Sequence, residues 1–255
     1  MPEPLTLVVV AAFGLAVGSF LNVCIYRLPR EESLVWPASH CTACNRPLAW
    51  YENVPVLSYF VLRGRCRTCR TRISATYPVV EIAAAAIAVA WYQQFGLSLL
   101  FASRLVFAFA LVVLFVIDLR HRILPNVITL PGIAVGFAFS LVAPPGWLDS
   151  LIGLLAGGGA LYLLAEGYYR IRGEEGMGMG DVKMLGMIGA FLGWKLMILT
   201  LVLSSLAGAL VGGLIIAWRK GDVKYALPFG TFLALGALVA SLFGDGIVHW
   251  YMSFY

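Results

Sequence analysis

Several uninterrupted apolar runs dominate this sequence, each near the roughly 20 residues that a helix needs to cross the hydrocarbon core of a bilayer. Apolar residues fill 61% of the 255 positions and charged residues only 12%, far from the balance of a soluble domain. The runs are continuous, whereas an outer-membrane barrel alternates lipid-facing and lumen-facing residues with period 2. The chain is therefore expected to be an all-α polytopic membrane protein. About eight transmembrane helices are predicted, at 5–26, 79–95, 98–118, 124–143, 149–169, 182–193, 196–218 and 226–248. No basic segment precedes the first run, where Met1-Pro-Glu-Pro4 is acidic, so it reads as a retained span and not a cleavable leader.

The net charge of +5 would raise nucleic acid as a partner in a soluble protein, but the basic residues follow a membrane rule instead. Sixteen of the 18 fall after odd-numbered spans: Arg27, Arg30, Arg46, Arg63, Arg65, Arg67, Arg70, Arg72, Arg120, Arg122, Arg170, Arg172, Lys183, Arg219, Lys220 and Lys224. Only Arg104 and Lys195 lie toward the other side. Basic residues stay cytoplasmic, so these loops face the cytoplasm and both termini face outward. Three regions follow: a first transmembrane helix at 1–27, a cytoplasmic loop domain at 28–78, and a seven-helix membrane domain at 79–255.

The loop holds four of the five cysteines, as Cys41-Thr-Ala-Cys44 and Cys66-Arg-Thr-Cys69, two CxxC knuckles separated by 21 residues. Two thiolates from each suit one tetrahedral zinc ion in a ribbon-like module. Two disulfides are the alternative, disfavoured on the reducing side of a membrane. Four cysteine ligands leave no open coordination position, so the zinc is expected to fold the loop and not to activate water. His40 is a bystander to this tetrad, and Cys24 a small buried residue of the first span. Neither His121 nor His249 belongs to an HExxH pair, and no Gly-x-Ser-x-Gly elbow occurs.

Carboxylates are costly in hydrocarbon, which singles out Glu81, Asp118, Glu166 and Asp181, all toward the cytoplasmic ends of spans. Asp118 ends one apolar run. Asp181 opens another after Gly176-Met-Gly178-Met-Gly180. If they meet, one shared proton is the stable state, and such a pair activates water without metal or covalent intermediate. Glycines before Asp181 would let an extended substrate backbone approach. The plainer alternative has Asp118 pairing with Arg120 or Arg122 and Asp181 capping a helix. Glu81 would link the loop to the membrane domain, and Glu166 would snorkel beside Tyr168 and Arg170.

Taken in order, the motifs resemble those of type IV prepilin peptidases, membrane aspartyl peptidases of the Gly-x-Gly-Asp kind. The matching runs are Gly18-Ser-Phe-Leu-Asn-Val-Cys-Ile-Tyr-Arg-Leu-Pro29, the CxxC pair, Trp50-Tyr-Glu-Asn-Val-Pro-Val-Leu-Ser58, Tyr77-Pro-Val-Val-Glu81, Asp118 with Ile123-Leu-Pro125, Gly176-Met-Gly-Met-Gly-Asp-Val-Lys183, and Pro228-Phe-Gly230. The resemblance implies Asp118 and Asp181 as the catalytic pair, with Gly178, Gly180 and Lys183 in the active-site motif. It implies a bacterial inner-membrane enzyme that removes the basic leader from type IV prepilins or type II secretion pseudopilins on the cytoplasmic side. It also implies N-methylation of the new N-terminus with S-adenosylmethionine, by residues that the spacing does not reveal. Glu52 and Glu81 are candidates to hold the substrate amine, and Glu174 and Glu175 to meet the basic leader. One departure is Thr231, where the family's Pro-Phe-Gly is followed by Pro; it is expected to alter only local loop shape. Rival readings are a non-enzymatic membrane scaffold that docks a partner through the zinc module, and a proton-coupled transporter.

Overall fold

The computed structural model describes residues 3–174, 177–218 and 228–254. Glu175, Gly176, Arg219, Lys220 and Lys224 lie outside the described residues. The helices are α1 (Glu3–Arg27), a short α2 (Leu57–Val61), α3 (Thr76–Phe95), α4 (Leu99–His121), α5 (Asn126–Ser140), α6 (Trp147–Arg172), α7 (Met179–Trp218) and α8 (Phe229–Met252). Among the described residues there is no strand, only isolated bridges.

Among the described residues, five helices are long and apolar enough to cross a membrane, spanning Glu3–Arg30, Leu99–His121, Trp147–Arg172, Met179–Ala217 and Phe229–Met252. The expected span at 79–95 is α3, which is not among them. The expected span at 124–143 is the 15-residue α5, about 22 Å of helix against a hydrocarbon core of about 30 Å. The two expected at 182–193 and 196–218 are two helices that meet at a kink at Gly193 (φ 75, ψ 173) and run on together as α7. The carbonyls released before this break are recaptured by side chains: Ser150 Oγ donates to Ala190 at 2.7 Å and Arg104 Nη1 to Phe191 at 3.1 Å. Arg104, only 6% exposed, is thus a helix cap built into the fold.

The chain forms two compact units, Met1–Phe101 and Ala102–Tyr255. The 79–95 segment therefore belongs with the first helix and the loop, whereas the charge and cysteine pattern drew the boundary at 78. In the first unit α1 packs on α3 through small residues one turn apart. A Cβ on Gly14 would stand 2.6 Å from Ala85 Cα, and one on Gly18 2.7 Å from Glu81 Cα. Ala84 and Ala88 are fully buried on the facing side. Lipid gives no hydrophobic drive between helices, so such close backbone contact supplies the attraction. Asn22, the next turn along, donates to the Tyr77 carbonyl at 3.0 Å and fixes the register.

The second unit is built on α4, with Phe107, Leu111, Leu114 and Ile117 fully buried. Phe107 stacks on Phe191 at 4.8 Å between ring centroids. Helices α6 and α7 meet at Gly153 and Gly189, where a Cβ on Gly189 would lie 2.1 Å from the Gly153 carbonyl oxygen. A backbone carbonyl cannot yield as a flexible side chain does. Gly189→Ala is therefore expected to destabilise the unit by about 1–3 kcal/mol, read as a lowered melting temperature in detergent. Gly159→Ala is the control, because its Cβ would meet nothing within 4 Å.

Candidate active site and metal centre

The two CxxC segments fold identically. The Cys41 N–H donates to Arg46 O (2.9 Å) and Asn45 N–H to Cys41 O (2.8 Å); in the second knuckle Cys66 N–H donates to Thr71 O (2.9 Å) and Arg70 N–H to Cys66 O (3.1 Å). Asn45 (φ 55) and Arg70 (φ 60) occupy the left-handed region, turning each chain back on itself. Bridges His40–Pro47 and Arg65–Arg72 close the two turns at equivalent positions. All four Sγ atoms lie within 4.8 Å of one another, and Cys41 and Cys69 Sγ are 3.7 Å apart. Zinc–sulfur bonds of about 2.3 Å in a tetrahedron require sulfurs about 3.8 Å apart, whereas a disulfide requires about 2.05 Å. The four cysteines are free thiols with the spacing of a metal centre.

Local donors favour the thiolate at the second knuckle, while the neighbouring cysteine sulfurs push the Cys44 thiol up to about 11. The Thr71 hydroxyl and backbone N–H push the Cys69 thiol down to about 6, and the Cys69 and Thr68 N–H groups lower Cys66. His40 turns its Nδ1 to the Ala38 carbonyl at 3.0 Å and stays outside the tetrad. Glu52 is not a free acceptor. Arg46 Nη2 reaches both of its oxygens, at 2.7 and 2.8 Å, and Ala49 N–H donates at 2.9 Å. Arg46 beside it holds its carboxyl below the usual range, and the pair ties the first knuckle to the turn at Trp50–Asn53.

In the second unit the two aspartates come from different helices. Asp118, 5% exposed, lies in the last turn of α4, and Asp181 in the first turn of α7. Asp118 Oδ2 accepts the Thr231 N–H at 2.6 Å and the Thr231 hydroxyl at 2.9 Å. Leu124 joins the three chain segments: a Cβ on Gly180 would stand 2.9 Å from Leu124 Cβ, and one on Gly230 2.9 Å from Leu124 Cδ1 and 3.0 Å from Asp118 Oδ2. Gly180 is thus required for packing, whereas at Gly178 a Cβ would make ordinary contacts alone, with Asp181 Oδ2 at 3.8 Å and Gly180 N at 3.9 Å. That leaves the open approach at Gly178. Lys183 Nζ donates to Asn126 Oδ1 at 2.9 Å, linking α7 to the start of α5.

The remaining candidates separate cleanly. Glu166 pairs with Arg170 one turn on, at 2.8 Å, with the arginine side chain 76% exposed; such surface pairs contribute about 0.3–0.5 kcal/mol. Glu81 is buried and accepts the Val56 N–H at 2.7 Å, which does link the loop to α3. Cys24 is buried in α1. Glu174 is exposed.

Residues 12–95 match the family model for the bacterial peptidase A24 N-terminal domain, and residues 105–213 that for the type IV leader peptidase family. The two matches fall on either side of the division between the compact units. The chain is 36% identical to a prepilin leader peptidase/N-methyltransferase of Pseudomonas putida, covering 96% of this chain and 93% of that one. The chain belongs to the type IV leader peptidase family. Proteins of the same name from Aeromonas hydrophila (38% identity; 94% of this chain, 92% of that one) and Stutzerimonas stutzeri (35%; 99% and 96%) align equally fully. No solved structure matches.

Within this member of the leader peptidase family, Thr231 is the site residue that motif reading undervalues. It marks more than loop shape, because both of its donors fall on Asp118. The signal was its place directly after Pro228-Phe-Gly230, where a residue other than Pro keeps a backbone N–H.

Proposed function

We propose that this multi-pass membrane protein is a bifunctional enzyme of the bacterial inner membrane. Its second unit removes the basic leader from type IV prepilins or type II secretion pseudopilins at the cytoplasmic face. Its first unit N-methylates the new N-terminal residue with S-adenosylmethionine, around a structural zinc held by Cys41, Cys44, Cys66 and Cys69. The active site faces the cytoplasm and both termini face outward, as the distribution of Lys and Arg supports. The substrate's own apolar helix enters from the lipid, and the exposed Glu174 meets its basic leader.

The observation that supports the peptidase reading is that Gly180, next to Asp181, and Gly230, beside Asp118 Oδ2, both close on Leu124, while Asp118 is gripped by two donors. A backbone N–H can only donate, so Asp118 Oδ2 is an acceptor. The pair shares one proton, and the two Thr231 donors favour the charge on Asp118, which acts as base with Asp181 as acid. Water gives its proton to Asp118 as its oxygen bonds to the scissile carbonyl carbon, and Asp181 gives its proton to the carbonyl oxygen. The tetrahedral species collapses as the C–N bond breaks: the nitrogen takes the proton held on Asp118, one hydroxyl proton returns to Asp181, and the carboxylic acid leaves and loses its remaining proton to solvent. Gly178 leaves the space through which an extended substrate reaches the pair.

The test is purified protein with a prepilin and S-adenosylmethionine, followed by intact mass. Loss of the leader mass and gain of one methyl are expected; a folded protein that does neither on several prepilins is a scaffold. Thr231 is a positioning residue in this scheme. Thr231→Val keeps the N–H but removes a hydrogen bond to a charged group, and is expected to lower kcat for cleavage about tenfold with KM unchanged. Thr231→Ser restores the hydroxyl and the rate. Equal rates in Thr231→Val and the parent chain would remove Thr231 from the mechanism.

A further inference from the structure

The sequence runs of the first unit that the peptidase leaves unused converge on one cavity. It measures about 430 Å³, within the ~300–1,000 Å³ of small-molecule sites, and is walled by the second half of α1 and by the loop around 34–55. Ser19 and Arg27 come to it from the 18–29 run, and Asn53 and Pro55 from the 50–58 run. Glu81, from the 77–81 run, packs against α1 beside Ser19, where a Cβ on Gly18 would stand 2.7 Å from Glu81 Cα.

The charges on this wall are specific. The Arg27 side chain lies in a residue 5% exposed, with Nη1 donating to Ser33 O at 2.7 Å and Nη2 to Pro37 O at 2.6 Å. Two carbonyl dipoles hold the guanidinium still without cancelling its charge. A buried cation held this way is incompletely compensated and suits an anionic group of a ligand. Ser19 and Arg27 stand about 12 Å apart along the helix, so the cavity has a cationic end and a hydroxyl beside a buried carboxylate. Phe20 and Val23 supply apolar wall between them.

We propose that this cavity is the methyl-donor site: Arg27 binds the α-carboxylate of S-adenosylmethionine, and the Ser19–Glu81 end receives the cationic amine of the cleaved pilin. The inference rests on the methyltransferase reading above. When bound, the donor supplies an electrophilic methyl on a sulfonium. The pilin ammonium first releases a proton to solvent; the neutral nitrogen's lone pair then forms the N–C bond as the C–S bond breaks, leaving its electron pair on sulfur. The fit lies in the cavity's size and in the uncancelled guanidinium.

Two variants of the full chain in lipid nanodiscs test it, with S-adenosylmethionine binding measured by calorimetry beside methylation by intact mass. Arg27→Gln removes the charge. Val23→Trp fills the cavity and leaves both carbonyl contacts of Arg27 in place. Both are expected to raise Kd for the donor tenfold or more and to cut methylation. Wild-type Kd in both variants overturns the proposal while leaving the methyltransferase reading intact. Weakening by Arg27→Gln alone also overturns it, since Arg27 would then act only by holding the loop. If the parent chain itself neither binds the donor nor methylates a cleaved pilin, the underlying reading fails instead.

Discussion

Asp118→Asn and Asp181→Asn are each expected to lower leader cleavage by about 10³-fold or more, while both proteins keep the fold and donor binding of the parent chain. The size follows from what is lost: positioned acid–base groups contribute about 10²–10⁴-fold, and neither partner can substitute for the other. Asparagine has the shape of aspartate, and its carbonyl oxygen can still accept from Thr231, so Asp118→Asn preserves the contact between α4 and α8. It cannot take the proton from water. Asparagine at 181 keeps a neutral polar side chain in the first turn of α7 but has no carboxylic proton to give. Intact mass of a prepilin reads the loss, and melting temperature in detergent checks the fold. Cleavage that persists in both variants would sink the aspartyl mechanism.

Much of this site was legible because its physics is one-dimensional. A carboxylate at the end of an apolar run is expensive wherever the run packs, so Asp118 and Asp181 stand out with no knowledge of their neighbours. Two CxxC turns need only local hydrogen bonds to shape a tetrad, and the observed knuckles repeat one pattern of N–H donors. What stayed hidden depends on contacts between distant segments. Thr231 acts across 113 residues on Asp118, and its place after Pro228-Phe-Gly230 signals a free N–H without signalling where that donor points. Gly180 looked like an opening for substrate, yet the space where a Cβ would stand is taken by Leu124, a residue set far from it in the chain.

Helix assignment shows the same division. Apolar runs located every long helix, and the gap between the expected spans at 182–193 and 196–218 falls where Gly193 breaks α7. The cost of that break is met by Ser150 and Arg104, both remote in sequence. Assigning α3 to the first unit required knowing which helix the alanines at 83–86 would face. The answer is the Gly14 and Gly18 stripe of α1, and small residues on a span reveal that a partner exists without revealing which one.

Removing the metal from the Cys41–Cys44–Cys66–Cys69 centre, by chelation or by Cys41→Ser with Cys66→Ser, is expected to abolish methyl-donor binding and methylation while leader cleavage continues. Ligand binding at a structural zinc is folding free energy, about 10–16 kcal/mol in small zinc modules, and little else orders the loop between Arg27 and Thr76. The described residues of 28–75 contain one five-residue α-helix and short 3₁₀ turns, and their knuckle hydrogen bonds alone are weak. Arg46 joins the first knuckle to Glu52, and the loop that follows carries Asn53 and Pro55 to the cavity wall. Losing the knuckles therefore removes that wall. Asp118, Asp181 and Thr231 all belong to the other compact unit, whose core of Phe107, Leu111, Leu114 and Phe191 contains no residue of the loop. Metal analysis establishes depletion, calorimetry reads donor binding, and intact mass reads both reactions in one sample. Methylation that survives full depletion would show that the cysteines do not build the donor site. Loss of cleavage together with methylation would show that the loop also organises the peptidase pair, and so that the two activities share one folded support.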